Sequence, residues 1–331
     1  LDLNAPRFEP LRAPQFFQYY REDTAAIRAE LAAGLLAPQA RTSPKYLYDT
    51  LGSRLFEAIT ALPEYYPTRT EAAIFAQHSG AMAAAIRNVT RRHTTLIDLG
   101  AGNCEKAASL FHAFEPAQYV AVDISAEFLR QSLECLQRQF PGLDMVGVGM
   151  DFSESLTLPD EVNPEGRVFF YPGSSIGNFT PHEAVALLKR VRAACGRTGG
   201  ILIGIDMVKD TATLEAAYDD ALGVTAAFNR NLLLHTNTVL DSDFDINDWR
   251  HVGLFNAAES RIEMHLEAVH DLSVRIGSQS RCFAQGERIH TENSYKYTPD
   301  SAIGLLESAG YSGVQRWTDE RGWFSVLFAQ A

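Results

Sequence analysis

Between Thr95 and Asp206 short apolar runs alternate with helical segments, and no other feature constrains the fold as strongly. Runs 95–99, 119–123, 145–150, 168–171 and 200–206 read as strands, and 105–113, 126–139 and 182–194 read as helices. This β-α-β-α rhythm implies a parallel, doubly wound sheet of Rossmann-like type. Outside it the pattern changes. Segments 16–36 and 71–87 have helical apolar spacing, so mainly helical sequence precedes the first strand. After Asp206 a helical stretch, 211–231, leads through a polar segment to strand-like runs at 261–268 and 271–276, for which a hairpin is the expected arrangement. A helix at 298–310 and a terminal strand at 323–328 close the chain.

Open parallel sheets bind ligands beyond the carboxyl ends of their strands, where the strand order switches. Here the first strand ends in Asp98-Leu99-Gly100-Ala101-Gly102. The glycines let the backbone pass close to a ligand, and the acid can hold an ammonium or a hydroxyl. Glu105 or Lys106 stands where a dinucleotide fingerprint needs its third glycine, so a cofactor without a pyrophosphate fits better. Asp123, about 20 residues further on, ends the second strand where a carboxylate can bind both ribose hydroxyls. Asp151-Phe152 follows the third strand; the acid can accept from an adenine amine while the ring stacks on the base. Each has a plainer reading, Asp123 as a helix cap and Phe152 as core. Taken together, the three strand ends indicate S-adenosylmethionine.

With 29 basic and 41 acidic side chains the net charge is −12, which argues against nucleic acid or an anionic membrane as partner. No apolar run approaches the roughly 20 residues of a membrane span. Residues 1–14 mix charges and prolines, unlike a secretory leader. Cys104, Cys135, Cys195 and Cys282 have no zinc-type spacing, so free thiols in the cytoplasm and no metal are expected. His235, His265, His270 and His290 receive no role.

Several further stretches lie outside a generic cofactor core. They include Pro44-Lys-Tyr-Leu-Tyr-Asp49, Leu62-Pro-Glu-Tyr-Tyr-Pro-Thr-Arg69, Gly173-Ser-Ser-Ile-Gly-Asn-Phe-Thr-Pro181, Ile205-Asp-Met-Val-Lys-Asp210, Ala217-Tyr-Asp-Asp-Ala221, Gly223-Val-Thr-Ala-Ala-Phe-Asn-Arg-Asn231 and Arg261-Ile-Glu-Met264. On these the chain closely resembles the histidine-specific Nα-methyltransferases of ergothioneine biosynthesis, which trimethylate L-histidine to hercynine. The resemblance implies an α/β fold: a Rossmann-like doubly wound methyltransferase domain (66–208 plus 296–331) with a second α+β substrate-binding domain (15–65 plus 209–295). It puts Tyr48 near the substrate amine as the catalytic residue, and Tyr65 near the imidazole. Asn178 and Tyr218 would hold the amino-acid backbone, Glu292 and Ser294 the imidazole nitrogens, and Met264 would shape the ring pocket. Gly100, Lys106, Asp123, Asp151 and Phe152 would match cofactor contacts, beside Asp98 and Gly102. Asn293 departs from the pattern, where an aliphatic residue is expected; on a strand it would point away from the ligand. A cytoplasmic monomer acting on a small molecule is the resulting expectation. Rival readings are an Nα-methyltransferase for tyrosine, tryptophan or a modified histidine, a non-catalytic cofactor-binding partner protein, and an NAD-dependent oxidoreductase.

Overall fold

The computed structural model describes residues 12–20, 23–91 and 93–331. The reading of residues 1–14 as no secretory leader therefore falls, up to residue 11, outside the described residues. In chain order, β1 (Gln15–Gln18) precedes α1 (Thr24–Leu36), α2 (Thr50–Thr60) and α3 (Tyr66–Thr90). The alternating part comprises β2 (Thr95–Leu99), α4 (Glu105–Ala108), α5 (Phe111–Phe114), β3 (Gln118–Asp123), α6 (Ala126–Gln139), β4 (Asp144–Gly149), β5 (Arg167–Tyr171), α7 (Pro181–Ala194) and β6 (Gly200–Asp206). The chain continues through α8 (Thr211–Ala216), α9 (Val224–Leu240), β7 (Trp249–Asn256), β8 (Arg261–Ala268), β9 (Leu272–Ile276), β10 (Gln279–Phe283) and β11 (Arg288–Tyr295). It ends with α10 (Pro299–Ser308), β12 (Ser312–Thr318) and β13 (Phe324–Gln330).

The main sheet has the order β1-β4-β3-β2-β5-β6-β13-β12, parallel from β1 to β6 and antiparallel at β13 and β12. Every residue of β2 and β6 is buried, as expected where helices cover both faces and the strand has no solvent side. Ile97, Val120, Phe169 and Ile203 pack on one face, and Leu96, Tyr119, Phe170 and Leu202 on the other. The order reverses between β2 and β5, so the crevice for a ligand lies beyond Leu99 and Tyr171.

One expected helix divides. Phe16 and Phe17 belong to β1, which pairs in parallel with β4, and the helix begins only at Thr24, where Asp23 accepts from Ala25 N and Ala26 N. Two adjacent phenylalanines suit an edge strand with a half-buried face as well as they suit a helix, and pairing with β4 decides between them. The stretch expected as one helix at 211–231 also splits, because Gly223 adopts φ 76° and restarts the chain as α9.

A second core gathers Leu31, Leu47, Ile59, Phe228, Trp249 and Leu266 from both flanks of the alternating part. Its sheet has the order β11-β8-β7, and β9 pairs with β10. The hairpin expected between 261–268 and 271–276 is therefore replaced: β8 turns back on β7, while β9 takes β10 as partner. Ladder partners lie across turns that short apolar patterns do not encode. Between His290 and Glu292 the β8–β11 register slips by a bulge, so that Glu292 opposes Met264 while His290 opposes His265.

Candidate active site

A cavity lies where the carboxyl end of β5 meets the second core. Seven residues singled out in the sequence line it: Tyr48, Tyr65, Asn178, Tyr218, Met264, Glu292 and Ser294. They arrive from separate elements. Tyr48 follows a 3-10 turn (Pro44–Leu47), Tyr65 precedes α3, Asn178 ends another 3-10 turn (Ser175–Asn178), and Met264, Glu292 and Ser294 share one face of the β8–β11 pair. The 3-10 turn packs so tightly against β11 that a Cβ on Gly177 would stand 2.9 Å from the Tyr295 carbonyl oxygen.

The wall is aromatic on one side. Tyr48 meets Phe56 and Phe228 edge-on at 5.4 and 5.5 Å, and Tyr65 meets Tyr218 at 6.1 Å. Withdrawal from water, followed by the Glu292 carboxylate, holds the Tyr48 phenol well above its ordinary range, even though the residue keeps 36% of its surface. It is a neutral phenol at any physiological pH.

The opposite side is polar and its proton pattern follows from donor chemistry. Lys296 Nζ donates to Ser294 Oγ at 2.7 Å and to the Tyr218 hydroxyl at 3.1 Å, and Tyr218 donates to Ser294 Oγ at 2.8 Å. An ammonium can only donate, so both hydroxyls accept from Lys296, and with Tyr218 as donor to Ser294 the Ser294 O–H is left for a ligand. Glu292 is the acceptor beside that donor. Burial pushes its carboxyl up to about 7, against a smaller downward pull from Lys296.

Beneath this wall lies a group of residues that the sequence reading missed. Asp206, at the end of β6, accepts from the Tyr66 hydroxyl at 2.7 and 2.9 Å, and pairs with Lys209 at 2.7 Å and Lys296 at 2.8 Å. All of its surface is buried. Burial alone would raise its carboxyl, but the two ammonium groups hold it below its ordinary value. Asp206 and Lys209 stood within a quoted motif but carried no assigned role. The signal for Lys296 was alternation: Glu292, Ser294 and Lys296 are two residues apart on an extended segment.

The cofactor candidates lie at or beyond the carboxyl ends of β2, β3 and β4. Gly100 and Gly102 have φ of 71° and 52°, and an added Cβ at either would meet nothing within 4 Å, which leaves a bare backbone cradle. Gly102 N donates to Asp123 Oδ2 at 3.0 Å, and Ser125 N to Asp123 Oδ1 at 2.9 Å, so Asp123 braces both the turn and the approach to α6. Asp98 is 2% exposed and accepts from the Tyr119 hydroxyl at 2.9 Å; its carboxyl lies in the core beneath the turn, and burial pushes it up to about 7. Asp151 accepts from Ser153 N and Oγ, and Phe152 stands edge-on to Tyr171 at 5.7 Å. Asp151 does not line the first cavity; it borders a second hollow with Tyr19, Glu30 and Lys45.

Glu71 ties the two regions together and was also missed. It is fully buried, pairs with Lys106 Nζ at 2.7 Å through Oε2 and accepts from Gly173 N at 2.8 Å through Oε1. A Cβ on Gly204 would stand 2.0 Å from Glu71 Oε1 and 3.0 Å from Phe324 Cε1. Gly204→Ala is therefore expected to cost about 1–3 kcal/mol, read as a lower urea midpoint. An unchanged midpoint would mean that Glu71 is free to move.

A family profile described as "Histidine-specific methyltransferase, SAM-dependent" matches residues 27–331. Histidine N-alpha-methyltransferase of Mycobacterium tuberculosis is 39% identical over 311 residues, covering 92% of this chain and 94% of that protein. Its counterpart from Mycolicibacterium smegmatis is also 39% identical, covering 94% and 97%. Ergothioneine biosynthesis protein 1 of Neurospora crassa is 31% identical across 82% of this chain, which matches 31% of that longer protein. With a bare glycine cradle at the end of β2 and a cavity lined by Glu292 and Ser294, the chain belongs to the S-adenosylmethionine-dependent, histidine-specific methyltransferases.

Proposed function

We propose that this enzyme transfers methyl groups to the α-amino group of L-histidine, up to three times, to give hercynine for ergothioneine biosynthesis. The observation that carries the reading is that Glu292 and Ser294 line the cavity from one strand face; Glu292 serves as acceptor in this reading, and Ser294, which accepts from Lys296, as donor. A neutral imidazole offers one N–H and one lone pair, and the two side chains match them. An indole can donate but not accept, and would leave the Ser294 hydroxyl unsatisfied in a buried site, at a cost of about 1–3 kcal/mol. Asn178 and Tyr218 hold the amino-acid backbone, Met264 shapes the ring pocket and Tyr65 closes it.

S-adenosylmethionine supplies an electrophilic sulfonium methyl when bound, and Gly100, Gly102, Lys106, Asp123, Asp151 and Phe152 are the residues that would hold it, with Asp98 supporting the turn from below. Displacement at a methyl carbon needs a neutral amine lone pair aimed in line, so the protein's task is mainly positioning. Tyr48, kept as a neutral phenol, orients that amine, and the proton leaves to water. Tyr48, Phe56, Tyr65 and Phe228 form an aromatic cluster, and ring faces of such a wall accommodate the growing cationic head group through cation–π attraction. In this reading residues 66–208 with 296–331 serve the methyl donor, and 15–65 with 209–295 serve the amino acid.

Incubation with S-adenosylmethionine and each amino acid in turn, followed by mass spectrometry, tests the assignment. L-histidine should yield mono-, di- and trimethylated products together with S-adenosylhomocysteine. Absence of histidine turnover above background, or preferred turnover of tyrosine or tryptophan, would overturn it.

A further inference from the structure

The bulge in β11 sends Glu292 and Ser294 toward the cavity and leaves His290 on the opposite face, where it meets two residues of β8. Glu263, His265 and His290 each present one donor atom, and the three atoms lie within 4.8 Å of one another. Glu263 and His265 are both 8% exposed, and the two imidazole rings are 4.6 Å apart. We propose that Glu263, His265 and His290 form a binding site for a divalent transition-metal ion on the back of the substrate wall.

Hydrogen bonding within the cluster matches what a ligand set requires. The Glu292 carbonyl can only accept, so the His290 ring must donate from Nε2 at 3.1 Å, which leaves Nδ1 as its lone-pair atom. Glu263 Oε1 is held by Asn256 at 3.0 Å and Arg261 at 2.8 Å, while Oε2 turns to His265 Nε2 at 2.9 Å. Outer partners of this kind, a backbone carbonyl on a histidine and donors on the distal carboxylate oxygen, orient metal ligands. Arg261 has a second anchor in the Tyr295 hydroxyl at 2.6 Å, so a cation beside Oε2 does not leave it stranded.

One orphan atom points the same way. Asn293 Oδ1 is buried without a hydrogen-bond partner, whereas the orphan His265 Nδ1 lies across its ring from Glu263. Asn293 opposes Glu263 in the ladder and so shares its face, as His290 shares that of His265. A buried polar atom with no partner costs free energy that a bound ion can recover. Two imidazoles with one carboxylate suit zinc or a similar borderline ion, whose ligand distances of about 2.0–2.2 Å put donors about 3.3 Å apart. Side-chain rotation closes the remaining gap. The sequence expectation of no metal rested on cysteine spacing, whereas these donors lie on two strands that only pairing brings together.

The test uses tag-free protein stripped with chelator, with exposed Cys135 and Cys282 replaced by serine to remove competing thiols. Titration calorimetry with zinc chloride should show one equivalent bound in the micromolar range, about −8 kcal/mol. His290→Ala should weaken binding at least tenfold while keeping a cooperative thermal transition. If that variant does not fold, Glu263→Gln decides by the same measure. Cobalt(II) should give weak visible bands of nitrogen and oxygen ligation. Absence of zinc binding, equal binding by the variants, or an intense thiolate-to-cobalt band would each overturn the proposal.

Discussion

Asp206→Ala is expected to lose about 3–5 kcal/mol of stability, the cost of leaving buried charge without its partner. In the wild-type protein the carboxylate balances Lys209 and Lys296, whose side chains are 4% and 0% exposed, and anchors the Tyr66 hydroxyl. Its removal leaves two ammonium groups that water cannot reach. The loss should shrink as pH rises, because burial already lowers Lys209 to about 8 and an unbalanced pair sheds a proton more readily. Urea denaturation at pH 7 and pH 9 would read both effects. A loss below about 1 kcal/mol, or one independent of pH, would show that the cluster is not held by charge. Because Lys296 also fixes the Ser294 and Tyr218 hydroxyls, histidine binding should weaken in the same variant.

Glu292→Gln is expected to separate binding from stability. The amide keeps the shape but loses the charged acceptor, so affinity for histidine should fall by about 10- to 100-fold, as for a hydrogen bond to a charged group of about 1.5–3 kcal/mol. Binding of S-adenosylmethionine should be unchanged, since Glu292 is not among the residues at the switch point. Stability should move the other way. The Glu292 carboxyl titrates near 7 when folded against an ordinary value of 4.5, so its contribution is fully present below 4.5 and lost as pH rises through 7. Unfolding at pH 8 should therefore cost more in the variant, by at most about 3 kcal/mol. Asp98, also pushed up to about 7, contributes a slope of the same sign that remains in both proteins. Urea midpoints at pH 5 and pH 8 with isothermal titration of histidine would decide; equal losses of both ligands would refute the imidazole role.

The cofactor half was legible because its information is local. Four apolar runs end where strands end and the fifth one residue beyond, and Gly100, Gly102, Asp123 and Asp151 all fall at or shortly after strand termini. The second lobe was read less well. The runs at 261–268 and 271–276 are both strands, but neither pairs with the other, since a ladder partner depends on which turn closes first and not on the alternation within a strand. Phe16 and Phe17 were read into a helix for the same reason: β4, which makes them a strand, lies far along the chain.

By itself, then, the sequence determined the doubly wound sheet and the glycine turn. These follow from periodicity, conformational preference and recognisable short motifs. Only the tertiary structure decided that Glu71 joins Lys106 to Gly173, that Asp206 joins Tyr66, Lys209 and Lys296, and that Lys296 donates to Ser294 beside the cavity. Those facts depend on distances between residues remote in sequence and on burial that turns a charge into a constraint. A carboxylate in a linear sequence is the same letter whether water or two lysines surround it. Its energy, and hence its role, is set by the packing around it.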